Sequence, residues 1–283
     1  MIMCSACTNT DRAGSDDEYA DAMSREHADD TPVAAPIAAS TTYPDVITSR
    51  PVYYRADGSE TTGFLAQPSD TAIDSPPGLI VIHEWWGLND NIQSMTEKLA
   101  DEGYVALAVD LYGGELASTP DEARGLMQDA MAQSDALTAN LESAYRYLQD
   151  QGVEKVGTIG WCFGGGWSLR AALEMPEQID ATVIYYGQLV DDRDQLATLD
   201  MPILGFFGEE DGGIPVEGVR EFQATLDELG KEAQIEIYPG AGHAFANPSG
   251  ERYVAEAAED AWAKTLAFLD THLRGEAGDG PND

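Results

Sequence analysis

The chain has 283 residues, 43% of them apolar, enough for a tail and one α/β domain with a sizeable core. Its 15 Lys and Arg against 51 Asp and Glu leave a net charge of −36, which opposes binding to nucleic acid and to anionic lipid. The sequence contains no apolar run of about 18 residues that would span a membrane, and its three cysteines, Cys4, Cys7 and Cys162, cannot build a disulfide framework. The first 45 residues carry only −7 of the net charge and the remainder −29, with just four lysines in all. An acidic excess spread along the chain in this way is expected of adaptation to high salt, where screening removes self-repulsion.

Residues 1–45 are poor in large apolar residues and rich in Ala, Ser, Thr, Asp and Pro, which predicts a disordered acidic tail or spacer. Met1-Ile2-Met3 before Cys4 is similar to the start of a mature bacterial lipoprotein. Two locations follow as expectations: cytoplasmic, or exported and anchored at Cys4. A lone Cys4-x-x-Cys7 is weak evidence for a metal or redox pair. One domain is expected over 46–275, with a flexible C-terminus over 276–283.

Within that domain, Val52–Tyr54 and Gly63–Ala66 flank the Asp57-Gly58 turn and suggest an antiparallel start. Continuous apolar runs then mark strands buried on both faces at Leu79–Ile82, Val105–Val109, Val156–Ile159, Thr182–Tyr185, Ile203–Phe207 and Ile235–Tyr238. Helical patterns lie between and after them, at about 91–102, 121–150, 163–174, 216–229 and 252–273. The alternation predicts a mostly parallel central sheet with helices on both faces, the α/β-hydrolase arrangement.

The most specific motif is Gly160-Trp161-Cys162-Phe163-Gly164, directly after the strand Val156–Ile159 and opening a helix. It is the G-x-S-x-G nucleophile elbow with Cys in place of Ser. Walker and Rossmann glycine loops are excluded, the first for want of Gly-Lys-Ser/Thr and the second for want of its second glycine. The helix N-terminus behind the sulfur favours thiolate, the nucleophilic form.

A base and an orienting acid should complete the set. Of four histidines, His27 lies in the tail, His272 ends the last helix and His83 precedes the nucleophile. His243, in the glycine-rich loop after the last strand, satisfies the chain order nucleophile, acid, histidine. Glu209, Glu210 and Asp211 compete for the acid. Asp211, followed by two glycines that allow a tight turn, is the choice. The backbone N–H groups of Phe163 and Trp85 are the expected oxyanion-hole donors, and Trp86, Tyr186 and Phe245 are expected to line an apolar substrate pocket.

At His83-Glu84-Trp85-Trp86-Gly87-Leu88-Asn89, Val109-Asp110-Leu111-Tyr112, Gly160 through Gly165, Tyr185-Tyr186-Gly187, Gly208 through Pro215 and Ala241 through Phe245, the chain resembles the dienelactone hydrolase family. The resemblance implies a Cys–His–Asp triad, no metal or organic cofactor, and a small-molecule ester or lactone substrate cleaved through an acyl-thioester. It also implies that Glu84 contacts the cysteine thiol and helps deprotonate it. Family arginines that hold a substrate carboxylate correspond to Asn247 here and, loosely, to Arg124. An aromatic residue two positions after the triad Asp is Gly213. A monomer without nucleic-acid partners is compatible with the reading. The rival readings are a non-catalytic envelope or binding protein that retains the fold, and a redox thiol protein, for which no resolving cysteine lies near Cys162.

Overall fold

A computed structural model of the protein describes residues 8–32, 41–70 and 75–274. Cys4, the lipid anchor in one of the two expected locations, the Cys4-x-x-Cys7 pair, weak evidence for a metal or redox site, and residues 276–283, expected to be flexible, lie outside the described residues. The elements in chain order are α1 (Thr8–Glu26), β1 (Val46–Ser49), β2 (Val52–Tyr54), β3 (Glu60–Pro68), β4 (Gly78–Ile82), α2 (Asp90–Asp101), β5 (Val105–Val109), α3 (Pro120–Met131), α4 (Ser134–Asp150), β6 (Val156–Trp161), α5 (Phe163–Glu174), β7 (Ala181–Tyr185), α6 (Arg193–Leu196), β8 (Ile203–Gly208), α7 (Val216–Glu228), β9 (Ala233–Tyr238) and α8 (Ala255–Leu269). A π-helical turn, Asp270–Arg274, follows α8.

The sheet runs β1-β3-β5-β4-β6-β7-β8-β9, with β2 also paired to β3. β3 is antiparallel to β1, β2 and β5, whereas the pairs from β5 to β9 are parallel. The five strands β4 to β8 are buried at every position, as their unbroken apolar runs require of strands covered on both faces. β9 is only half-buried because it forms the sheet edge.

Strand order fixes where chemistry can occur. The chain goes from β4 to β5 on one side, then returns to β6 on the other, so the order reverses at β4. In open α/β sheets, ligands bind beyond the carboxyl ends of the strands at such a reversal. The β4–β6 register pairs Ile82 with Gly160, which brings the His83-Glu84 loop beside the Cys162 turn.

Three departures from the sequence reading have local causes. Gln133 (φ −115°, ψ 38°) leaves the helical conformation and divides 121–150 into α3 and α4. Pro120 and the Thr119 cap, whose side chain accepts the Glu122 N–H, start α3 one residue early. The third departure lies in the segment expected to be a spacer, where α1 occupies Thr8–Glu26. Among its described side chains the buried apolar ones are Tyr19, Ala20 and Met23, too few to register as a periodic pattern. Partners far along the chain hold it instead. Asp16 pairs with Arg170 at 2.5 Å in a buried contact, Asp21 bonds Arg124, and Glu26 and Asp30 pair with Arg252 at 3.5 and 2.6 Å.

The elbow depends on close backbone approach. A Cβ built on Gly160 would lie 2.1 Å from the Gly164 carbonyl oxygen, a backbone atom that cannot swing aside. Gly160→Ala is therefore expected to lose about 3 kcal/mol or more, at or beyond the upper end of ordinary overpacking. Chemical denaturation measures this, and a stability within 0.5 kcal/mol or so of the parent, the range of harmless substitutions, would contradict the packing described.

Candidate active site

Cys162 stands between β6 and α5 with φ +56° and ψ −120°, a conformation that non-glycine residues adopt only when surrounding structure imposes it. Its N–H donates to the Tyr185 carbonyl at 3.0 Å, and its own carbonyl accepts from Gly166 N–H at 3.2 Å. The side chain is buried, with the N-terminus of the 12-residue α5 behind it. Burial alone would raise the thiol. The positive field and hydrogen bonding of His243, joined by His27, outweigh it and draw the thiol down to about 5.

His243 follows β9 and is fully buried. Its Nδ1 bonds Asp211 Oδ2 at 2.8 Å. Asp211 sits in the turn after β8, where its Oδ1 accepts the Gly213 and Ile214 N–H groups at 2.8 Å each. Burial opposes ionisation of Asp211, but the charge and hydrogen bond of His243 and the two N–H donors hold its carboxyl below the ordinary value. Burial likewise opposes the His243 cation, yet the negative charges of Asp211 and Cys162 raise it well above the usual imidazole range. Thiolate and imidazolium thus stabilise each other. His83 is a different kind of histidine. Its Nδ1 meets the Glu84 carbonyl at 2.6 Å, and its Nε2 accepts the Leu111 N–H at 3.2 Å, which fixes a neutral tautomer. Burial depresses its basicity further.

Glu84 is buried in the loop after β4. Burial and the charge of Cys162 push its carboxyl up to about 7, against the opposing effects of Asn247, His27 and His243. Asn247 Nδ2 donates to Glu84 Oε2 at 2.7 Å. The position read as a missing carboxylate-binding arginine therefore carries the donor that orients Glu84.

Residues of α1 and the turn after it, for which the sequence reading assigned no role, complete the surroundings. Tyr19 Oη and Met23 Sδ lie 4.0 and 3.9 Å from Cys162 Sγ. A Cβ on Gly213 would lie 1.9 Å from Met23 Cε, so the glycine leaves the room that Met23 occupies. His27 is buried, its ring 4.7 Å from Trp85 and 5.1 Å from His243 between centroids, and its Nδ1 meets Asp30 Oδ2 at 2.6 Å. The available signal was local: a histidine followed at i+3 by an acid, within Glu26-His27-Ala28-Asp29-Asp30.

Beside the sulfur lies a cavity of about 250 Å³ lined by residues including His27, Glu84, Trp85, Trp86, Asn89, Cys162, Asn247 and Arg252. Trp86 is part of that lining. Tyr186 and Phe245 do not line this cavity. They are fully buried and pack as a group with His243, at ring separations of 5.1 Å for Tyr186–His243 and 5.4 Å for Tyr186–Phe245. Arg124 is also outside the lining, its guanidinium bonded to Asp21 of α1. A larger cleft of about 440 Å³, lined by Thr61, Asp110, Tyr112 and Asn140 among others, does not reach Cys162. Of the two, the smaller cavity is the one that Cys162 and Glu84 line.

Residues 61–273 match the model of the dienelactone hydrolase family. Protein usf of Aquifex pyrophilus is 33% identical over 230 residues, covering 78% of this chain and 98% of its own. A protein of Saccharolobus solfataricus that bears the name "Putative carboxymethylenebutenolidase" is 32% identical over 255 residues, covering 77% of this chain and 96% of its own. Among solved structures, the dienelactone hydrolase-like promiscuous phosphotriesterase P91 from metagenomic libraries superposes with a TM-score of 0.72 at 22% identity. The match covers 81% of this chain and 99% of that one, a likeness of fold.

Two outcomes test this geometry. In a Cys4→Ser/Cys7→Ser background, the thiolate absorbance of Cys162 should persist down the pH scale and vanish only as pH falls through about 5. His243→Gln should move that transition up to or above the ordinary thiol range, about 8.5, and a transition left near 5 would contradict the pairing. Asn247→Leu removes a donor that lowers Glu84, so the Glu84 midpoint should rise by about one pH unit or more, given roughly 1.5–3 kcal/mol for a hydrogen bond to a charged group. Isotope-edited infrared titration reads that carboxyl directly, and an unmoved midpoint would exclude the role of Asn247.

Proposed function

The chain belongs to the dienelactone hydrolase family and is an ester or lactone hydrolase, and from that premise we propose that it works through a Cys162 acyl-thioester with Asp211 and His243 as partners. The observation that carries this reading is the buried His243–Asp211 pair set against a thiol whose ionisation it favours. A non-catalytic binding role finds no support in so complete a triad.

The thiolate attacks the carbonyl carbon, and the oxygen takes up negative charge. Phe163 N–H, at the head of α5, and Trp85 N–H, in the loop after β4, are the proposed donors to that oxygen, each contributing on the order of 3–4 kcal/mol. The tetrahedral intermediate collapses and breaks the carbon–oxygen bond. His243 gives its Nε2 proton to the departing alkoxide, which in a lactone stays tethered as a hydroxyl. A water molecule then surrenders a proton to His243, attacks the thioester and releases the acid, returning the thiolate. Glu84, with its carboxyl near 7, is suited to accept the thiol proton in any fraction of protein where Cys162 is protonated. The cavity volume favours small substrates, with Trp86 as the aromatic wall.

Hydrolysis of p-nitrophenyl acetate and a panel of lactones by wild type and Cys162→Ala tests the proposal. Loss of the nucleophile should lower kcat by about 10⁴-fold or more, the scale seen when a triad nucleophile is removed. On the acid side, kcat/KM should fall as pH drops through about 5, where the thiolate is protonated. Equal rates in the two proteins would refute the role of Cys162.

A further inference from the structure

We propose that Cys162, His243 and His27 form a binding site for a thiophilic transition-metal cation of the Zn²⁺ class, which locks α1 over the nucleophile. One donor atom from each residue lies within 4.8 Å of the other two. In both imidazoles Nδ1 is engaged by a carboxylate, Asp211 for His243 and Asp30 for His27, leaving Nε2 as the free donor. Both Nε2 atoms are buried and, among the described residues, neither has a hydrogen-bond partner other than the Cys162 sulfur, and all three residues are buried.

That arrangement is what metal-binding histidines require. A carboxylate on Nδ1 fixes the tautomer, aims the Nε2 lone pair and raises its basicity. Here two carboxylate–histidine arms converge on one sulfur. One arm suffices for a thiolate–imidazolium pair, and the hydrolytic sequence described above assigns no step to the second. Two imidazoles and a thiolate suit zinc and its neighbours and exclude Mg²⁺ and Ca²⁺, which prefer oxygen ligands. Tetrahedral zinc, with bonds of about 2.0–2.1 Å to nitrogen and 2.3 Å to sulfur, places donors about 3.3–3.6 Å apart. From its upper limit of 4.8 Å the triangle therefore needs to contract by about 1.2–1.5 Å. The Met23 thioether, 3.9 Å from Cys162 Sγ, is a further soft donor on the α1 side. On binding, the cation replaces the Nε2 proton of His243, which passes to solvent. The nucleophile and base are then masked until the cation leaves.

The test reads binding rather than turnover, so its failure and the failure of the hydrolase reading are distinguishable. Full-length Cys4→Ser/Cys7→Ser protein, in which Cys162 is the only thiol, is titrated with Co²⁺ and then with Zn²⁺. Expected are a thiolate-to-cobalt charge-transfer band at one equivalent, its displacement by Zn²⁺, and binding weakened at least about tenfold in Asp30→Asn and further in His27→Gln. Thermal melting checks that these variants remain folded. In the unsubstituted histidine background, Zn²⁺ should also slow amide exchange across residues 19–27. Absence of the band, affinity unchanged in His27→Gln, or exchange in 19–27 unaffected by Zn²⁺ would each overturn the proposal.

Discussion

A negatively charged sulfur buried at the carboxyl end of a central strand is stable only if something offsets its desolvation, and most of this site can be understood as the answer to that constraint. The His243 cation faces it, Asp211 stabilises the cation, and the Gly213 and Ile214 N–H groups stabilise Asp211. The α5 N-terminus adds favourable potential from behind. Glu84, the other acid beside the sulfur, is tuned to about 7 and so need not add a second full negative charge. Remove the imidazolium and the buried thiolate loses its principal partner.

The sheet explains why these groups meet. The order reversal at β4 opens the carboxyl edge between β4 and β6, and the register of that pair sets Glu84 beside Cys162. β8 and β9 then deliver Asp211 and His243 from the adjacent strand ends. α1 and the turn after it cover the sulfur with Tyr19, Met23 and His27 and are tied down by Asp16, Asp21, Glu26 and Asp30. The small cavity lined by His27 reaches the sulfur from the side. The exposed Asp21–Arg124 pair weakens with salt, whereas the buried Asp16–Arg170 pair is screened much less.

Much of this was legible in the sequence because its signals are local. Buried parallel strands read as unbroken apolar runs, and β4 to β8 appear where those runs lie. The elbow announces itself through glycines that permit close backbone approach, and Asp211 and His243 follow from chain order at strand ends. What stayed hidden depends on partners distant in the chain. α1 has a thin apolar stripe, and Arg170 and Arg252, which anchor it, are more than 150 residues away. Asn247 read as a lost arginine because nothing local indicates that it faces Glu84. Tyr186 and Phe245 were misplaced because an aromatic residue near a catalytic position can pack behind the base as readily as line the cavity. Gly213 marks a vacated volume, but only the fold shows that Met23 fills it.

In the proposed reaction the Cys162 sulfur carries the acyl group. Rapid acid quench of the protein with a slow ester, followed by intact and peptide mass spectrometry, detects that thioester. Expected is an adduct of the acyl mass on the peptide containing Cys162, formed within the first turnover and absent from Cys162→Ala. An acyl group on another residue, or catalytic turnover by Cys162→Ala at the wild-type rate, would contradict it.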